Sequence, residues 1–216
     1  MYSLTVQEAI EAVRKNLDEI GLNESVMYDT ESTDNESLDQ TIARSLPEAI
    51  NRIHLAAPVT LLEGENYLSG FYDIDILDGV LTFSFAAPYL RLVAFQAEDS
   101  AIVVTEAIPE SSAEGRKQLN KYVRGRYDRP RLVKEQDANG RHTFFYYSLK
   151  DNFQSPRDAI KRFSFVKEQF YDGNATSYPV SPALRQNAID TLTAMVLAIY
   201  GENEKANYFS DKAKPI

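Results

Sequence analysis

With 216 residues, 44% of them hydrophobic, the chain is long enough to bury one generous core or two small ones, so it folds without disulfides or a structural metal. Zero cysteines exclude a disulfide framework, a thiolate metal site and a thiol nucleophile together. A formal charge of -9 argues against a generic nucleic-acid binder, because affinity for the phosphate backbone needs a net basic face.

In chain order, Thr5 followed by Glu8 forms a capping box, and Val6, Ala9, Ile10, Val13, Leu17 and Ile20 recur at helical spacing before Gly21 stops the run. The stretch Asn23 to Glu36 is polar, acidic and aperiodic, so it reads as a loop. Leu38, Ile42, Leu46, Ala49, Ile50 and Ile53 line a second helix, in which Pro47 predicts a kink or a fresh turn behind Ser45, and Pro58 ends the helical region. From Val59 the period changes to two. Tyr72, Ile74 and Ile76 alternate with Asp73 and Asp75, Asp78-Gly79 supplies a tight turn, and Leu81, Phe83 and Phe85 continue the alternation. Further strands are predicted at Leu90 to Gln96, Ala101 to Ala107, Arg131 to Glu135, His142 to Leu149 and Phe163 to Phe170, with Asn139-Gly140 turning a second hairpin. Helical signals return at Ser181-Pro182, an N-cap with proline in the first turn, followed by Leu184, Ala188, Leu192, Met195, Val196 and Ile199, a stop at Gly201, and a short helix from Glu202 to Lys212 presenting Ala206 and Phe209.

The expected fold is therefore α+β: a helical bundle from the N- and C-terminal helices, residues 1–58 and 181–216, with an inserted antiparallel β-domain over 59–180. No apolar run approaches the roughly 20 residues of a membrane span, and the start lacks the order of a secretion signal, so the expected product is soluble and has no membrane partner.

Charge is segregated along the chain. Between Lys15 and Arg44 stand eight acids, Asp18, Glu19, Glu24, Asp29, Glu31, Asp34, Glu36 and Asp39, and no base. Residues 116 to 134 hold eight bases, Arg116, Lys117, Lys121, Arg124, Arg126, Arg129, Arg131 and Lys134, against the single acid Asp128. Arginines outnumber lysines five to three, which protein interfaces favour. Such segregation suits head-to-tail contact between copies: residues 116 to 134 would meet a negative partner surface, with residues 22 to 39 of a neighbouring subunit the first candidate. Tyr122 and Tyr127 interleave with the bases, which is also compatible with stacking on a single nucleic-acid strand.

Other residue types offer little chemistry. His54 reads as a partly buried helix residue with a satisfied ring, and His142, beside the Asn139-Gly140 turn, as a solvent-facing strand residue. The D-x-D pair Asp73 and Asp75 is compatible with a divalent metal, but the alternation explains it as a solvated strand face. The acidic stretch lacks the glycine and spacing of a calcium-binding loop, and no G-x-S-x-G, S-x-x-K or phosphate-binding glycine loop occurs. No catalytic, cofactor or metal residue is assigned.

Ala56-Ala57-Pro58 closing the second helix, Pro88-Tyr89-Leu90-Arg91-Leu92 after the first hairpin, and Asn120-Lys121-Tyr122-Val123-Arg124-Gly125 ahead of Pro130 give, with the order of elements, a chain that resembles the head-to-tail adaptor and ring proteins of tailed bacteriophages. The closest likeness is to the neck and tail ring proteins of crAss-like phages, and the run from Ala188 through Gly201 to Phe209 looks like the helical pair that ends many such adaptors. The resemblance implies a virion structural protein without catalytic activity or cofactor, arranged as a ring of commonly about twelve copies beneath the portal. Its implied partners are its own copies, the portal protein and other neck or tail rings, with the genome passing nearby unbound and assembly taking place in the host cytoplasm. The acidic stretch matches no part of that pattern. A nucleic-acid-binding module using Arg124, Arg126, Tyr122 and Tyr127 is the first competing reading, and a carboxylate hydrolase, for which no acid pair stands out, the second.

Overall fold

The computed structural model describes residues 2–19, 37–67, 70–138, 140–150, 153 and 155–215. The predicted stop at Gly21, the predicted loop Asn23 to Glu36 and Asn139 of the second turn lie outside the described residues. In chain order the elements are β1 (Ser3–Thr5), α1 (Val6–Glu19), α2 (Leu38–Ala56), β2 (Glu65–Asn66), β3 (Tyr72–Leu77), β4 (Val80–Phe85) and β5 (Tyr89–Ala97). There follow β6 (Ala107–Pro109), α3 (Ala113–Gln118), β7 (Leu132–Gln136), β8 (His142–Tyr147), β9 (Ile160–Lys167), β10 (Ser177–Pro179), α4 (Arg185–Ile199) and α5 (Asn203–Lys212). The fold is α+β, and the chain forms two compact units, residues 1–63 with 169–216, and residues 64–168. Among the described residues no helix is long and apolar enough to cross a membrane.

In the first unit the predicted capping box is in place: Thr5 Oγ1 accepts from the Glu8 amide at 3.1 Å, and Glu8 Oε2 accepts from the Thr5 amide at 2.9 Å. These bonds, the backbone one foremost, hold the Glu8 carboxyl below its ordinary range. A second box that the sequence reading did not name starts α2, where Ser37 Oγ accepts from the Gln40 amide at 3.2 Å and Gln40 Oε1 accepts from the Ser37 amide at 3.0 Å. No fresh helix starts behind Ser45: α2 runs as one helix through Pro47. Proline removes one backbone bond there, but the buried stripe Leu38, Ile42, Leu46, Ala49, Ile50 and Ile53 spans both sides of it, and packing holds the helix together. Ala57 is extended ahead of Pro58 and closes the helix as expected.

α4 packs against α1, α2 and α5, which is why its buried residues, from Ala188 to Leu197, are not confined to one stripe. Gly201, at φ 82, makes the left-handed break before α5, whose Ala206 and Phe209 are buried. Ser181 does not cap a helix with its side chain. Its hydroxyl accepts from the Glu63 amide at 2.9 Å, a 3-10 turn covers Pro182–Leu184, and α4 begins at Arg185. β10 pairs antiparallel with β1, Leu4 opposite Tyr178, so the helical unit carries a two-stranded ribbon absent from the sequence reading.

The second unit holds a three-stranded sheet, β2-β9-β5, and a five-stranded sheet, β3-β4-β8-β7-β6. Their inner faces meet in an aromatic core, with Phe83 5.6 Å from Phe95 and 5.3 Å from Phe163, and Phe85 5.0 Å from Phe165 between ring centroids. The β3–β4 hairpin turns at Asp78 (φ 51) and Gly79 (φ 73), the paired left-handed positions that an Asp-Gly turn supplies. The sheets are not wholly antiparallel: β6 pairs parallel to β7, Ile108 opposite Val133. The predicted strand Ala101 to Ala107 is also corrected. Of its residues only Val104, bridging to Phe95, and Ala107, the first residue of β6, pair, and Ser100 Oγ accepts from the Ile102 amide at 3.1 Å where the chain bends out of strand geometry.

Candidate functional site

The cationic segment is the connection between β6 and β7. Ser112 begins it, its hydroxyl donating to the Pro109 carbonyl at 2.7 Å and accepting from the Gly115 amide at 3.0 Å, so that α3 starts tightly against the strand end. Gly115 is required there, since a Cβ would lie 2.2 Å from the Pro109 carbonyl oxygen. Gln118 is buried and its Oε1 accepts from the Gly125 amide at 2.7 Å, folding residues 119–125 back over the short helix. Asn120 Oδ1 accepts from the Tyr122 amide at 3.0 Å. Arg126 and Arg129 exchange backbone hydrogen bonds at 3.2 and 2.8 Å, and Ser148 Oγ donates to the Arg126 carbonyl at 3.1 Å. Arg124 donates to the Asp78 carbonyl at 2.8 Å, pinning the segment to the β3–β4 turn. A connection with almost no regular structure is thus held at each bend by a buried or backbone partner.

This backbone presents a groove of about 520 Å³ whose walls carry the cations Lys117, Arg124, Arg126, Arg129 and Arg131 and the ring of Tyr122. Two carboxylates, Glu114 and Asp128, line it as well, and Arg131 stands 3.6 Å from Glu114. Arg116 and Lys121 are exposed beside it. The apolar residues of the segment face outward too: Leu119 is 65% exposed, Tyr122 75%, Val123 59% and Tyr127 60%. Large side chains left open around cations are the composition of a contact surface.

Lys134 does not join this surface. Register sets it opposite Phe144 on the inner face of the sheet, where its ammonium lies 4.9 Å from the Tyr89 ring centroid and burial pushes its pKa down. His142 likewise departs from expectation. It pairs with Phe85, its ring lies 5.2 Å from Tyr89, and it is buried, not solvent-facing. Burial, with Lys134 adding repulsion, pushes its pKa down. His54 is buried in α2, where its Nε2 accepts from the Ser181 amide at 3.4 Å and burial pushes its pKa down to about 4. Asp73 and Asp75 are exposed, as the alternation predicts. A bulge falls between Tyr72 and Asp75, and Asp73 pairs with Arg141 at 3.0 Å. Among the described residues no cluster of three or more histidines and carboxylates is placed to hold a metal. The acidic candidates Asp29, Glu31, Asp34 and Glu36 lie outside the described residues.

No protein-family model matches the chain, and neither does any curated protein or solved structure. The sequence reading named the bases but missed the groove, the outward Leu119 and Val123, and the glycine that seats α3. The available signal was the pair of glycines, Gly115 and Gly125, flanking a run with no period.

Proposed function

We propose that this chain is a structural virion protein of a tailed bacteriophage, a subunit of a multimeric ring that connects the portal vertex to the tail and surrounds the genome passage. The reading joins the sequence resemblance to one structural observation. A pre-formed, mostly uncompensated cationic groove rimmed by exposed apolar rings sits on a chain whose net charge is -9. Identical subunits with unlike, complementary patches associate head to tail, and such contacts close into a ring when the rotation permits. The work is then mechanical. A backbone already pinned has little freedom of its own left to lose on docking, which suits a contact that must form repeatedly around a ring.

Imaging the intact particle tests the reading directly: the chain should occupy the neck or tail as a closed ring, and its absence from mature virions refutes it. In parallel, Arg124→Glu with Arg126→Glu should abolish incorporation of the folded protein. The exposed tyrosines beside guanidinium groups favour a second reading, a single-strand nucleic-acid contact. Retention on single- and double-stranded DNA columns separates the two, since a binder releases steeply as salt rises whereas a ring subunit shows little retention at any salt.

A further inference from the structure

Resting on the ring reading, we infer that the groove between β6 and β7 takes an acidic peptide segment of a second copy of this chain, supplied from residues 22–36, ahead of the Ser37 cap of α2. Four features of the groove set the chemistry of its occupant. Five cations converge on a concavity of about 520 Å³, too small for a folded surface to enter but suited to a few residues of extended chain. Four of the five are arginines, whose planar forks take carboxylates bidentately. Glu114 and Asp128 in the walls oppose a continuous run of phosphates more than they oppose spaced carboxylates that can interleave with them. Finally, the open faces of Tyr122 and Val123 offer apolar contact between charges.

The complementary partner is written in the same chain. Residues 22–36 contain Glu24, Asp29, Glu31, Asp34 and Glu36 with no lysine, arginine or histidine, and the spacing Asp29, Glu31, Asp34, Glu36 intersperses each acid with small polar residues. A segment with acids two or three residues apart repeats its charge every 7 to 10 Å or so when extended, a spacing over which separate guanidinium groups can each take one carboxylate. Supplied by a neighbour, it makes every copy both donor and acceptor of the same contact, the head-to-tail condition.

Zero-length carbodiimide coupling, which joins carboxylates to amines, tests the inference on the full-length protein. In an equimolar mixture of isotopically light and heavy copies, Lys117 and Lys121 should couple to acids within 22–36, with light–heavy pairs present, and most coupling should vanish as salt passes about 0.5 M. Charge exchange supplies the second arm. Arg126→Glu/Arg129→Glu and Asp29→Lys/Glu31→Lys/Asp34→Lys/Glu36→Lys should each lose self-association and self-coupling, while a mixture of the two variants, which pairs an intact groove with an intact acidic segment, should restore association. Coupling only within one copy, no coupling at millimolar protein, or variants that associate as well as wild type would overturn the inference. So would a groove variant that loses DNA retention while coupling persists, which would assign the groove to nucleic acid. Each of those results leaves the ring reading to be decided by the particle image.

Discussion

Acidification should destabilise the helical unit through one residue, His54. In the folded chain its imidazole is 3% exposed, neutral, and positioned so that Nε2 accepts from the Ser181 amide at 3.4 Å. Protonation would bury a charge and turn that acceptor into a donor facing another N–H. Its pKa falls from 6.5 to about 4 on folding. Because the folded value is depressed, the unfolded chain binds the proton first, and the stability present above pH 6.5 is lost as pH falls toward 4. Linkage gives a loss of about 2–3 kcal/mol between pH 7.5 and 4.5 from this group alone. The assay is urea unfolding followed by helical circular dichroism at both pH values, comparing wild type with His54→Gln. Glutamine offers an amide oxygen to the Ser181 N–H but does not titrate, so the variant loses about 2–3 kcal/mol less on acidification. The carboxylates and His142 titrate in both proteins and cancel in the comparison. A variant whose pH dependence equals that of wild type would refute the assignment of the acid sensitivity to His54.

Three further outcomes follow from packing. Phe163, on the three-stranded sheet, meets rings of the five-stranded sheet edge-on, with Phe83 at 5.3 Å, Phe85 at 5.2 Å and Phe144 at 5.5 Å, so Phe163→Ala should cost about 3–5 kcal/mol in chemical denaturation. A cost under about 1 kcal/mol would mean the sheets do not close on it. Thr193→Val removes the hydroxyl that accepts from buried Asn16 Nδ2 at 2.9 Å and donates to the Ile189 carbonyl at 2.9 Å. The single change should cost about 1–3 kcal/mol, and adding Asn16→Leu should recover most of it, as a double-mutant cycle reads. Gly115→Ala forces a methyl against the Pro109 carbonyl, so α3 should lift from the strand end at a cost of about 1–3 kcal/mol. Trypsin cleavage after Lys117, Lys121 and Arg124 should then accelerate markedly relative to wild type, and an unchanged cleavage rate would show that the segment is not held through that glycine.

The helices were legible because each carries its own signal: the Thr5–Glu8 box, the stripe from Leu38 to Ile53 and the break at Gly201 are all local. The first hairpin was legible for the same reason, since Asp78-Gly79 and period-2 flanks fix it without reference to the rest of the chain. What escaped depended on partners distant in sequence. His142 and Lys134 were assigned by their neighbours along the chain, a turn and a basic run, whereas register places them opposite Phe85 and Phe144 and so determines which way they face. A three-residue strand such as β1 is too short to show a period, and a six-residue helix such as α3 shows less than two turns of one.

One topological fact connects these misses to the site. An antiparallel pair can be joined by a two-residue turn, but a parallel pair needs a crossover of a dozen or more residues. Pairing β6 parallel to β7 therefore obliges the chain to run a long connection, residues 110–131, from the end of one strand back to the start of the other. That obligatory crossover is the stretch in which the arginines of the groove stand, with Gly115 seating it at one end, Gln118 and Ser148 pinning it, and Arg124 tied to the β3–β4 turn. A wholly antiparallel reading leaves the same residues as a run of surface charge. The parallel pair turns them into a fixed, concave array, because a crossover anchored at both ends by neighbouring strands of one sheet must fold back on itself.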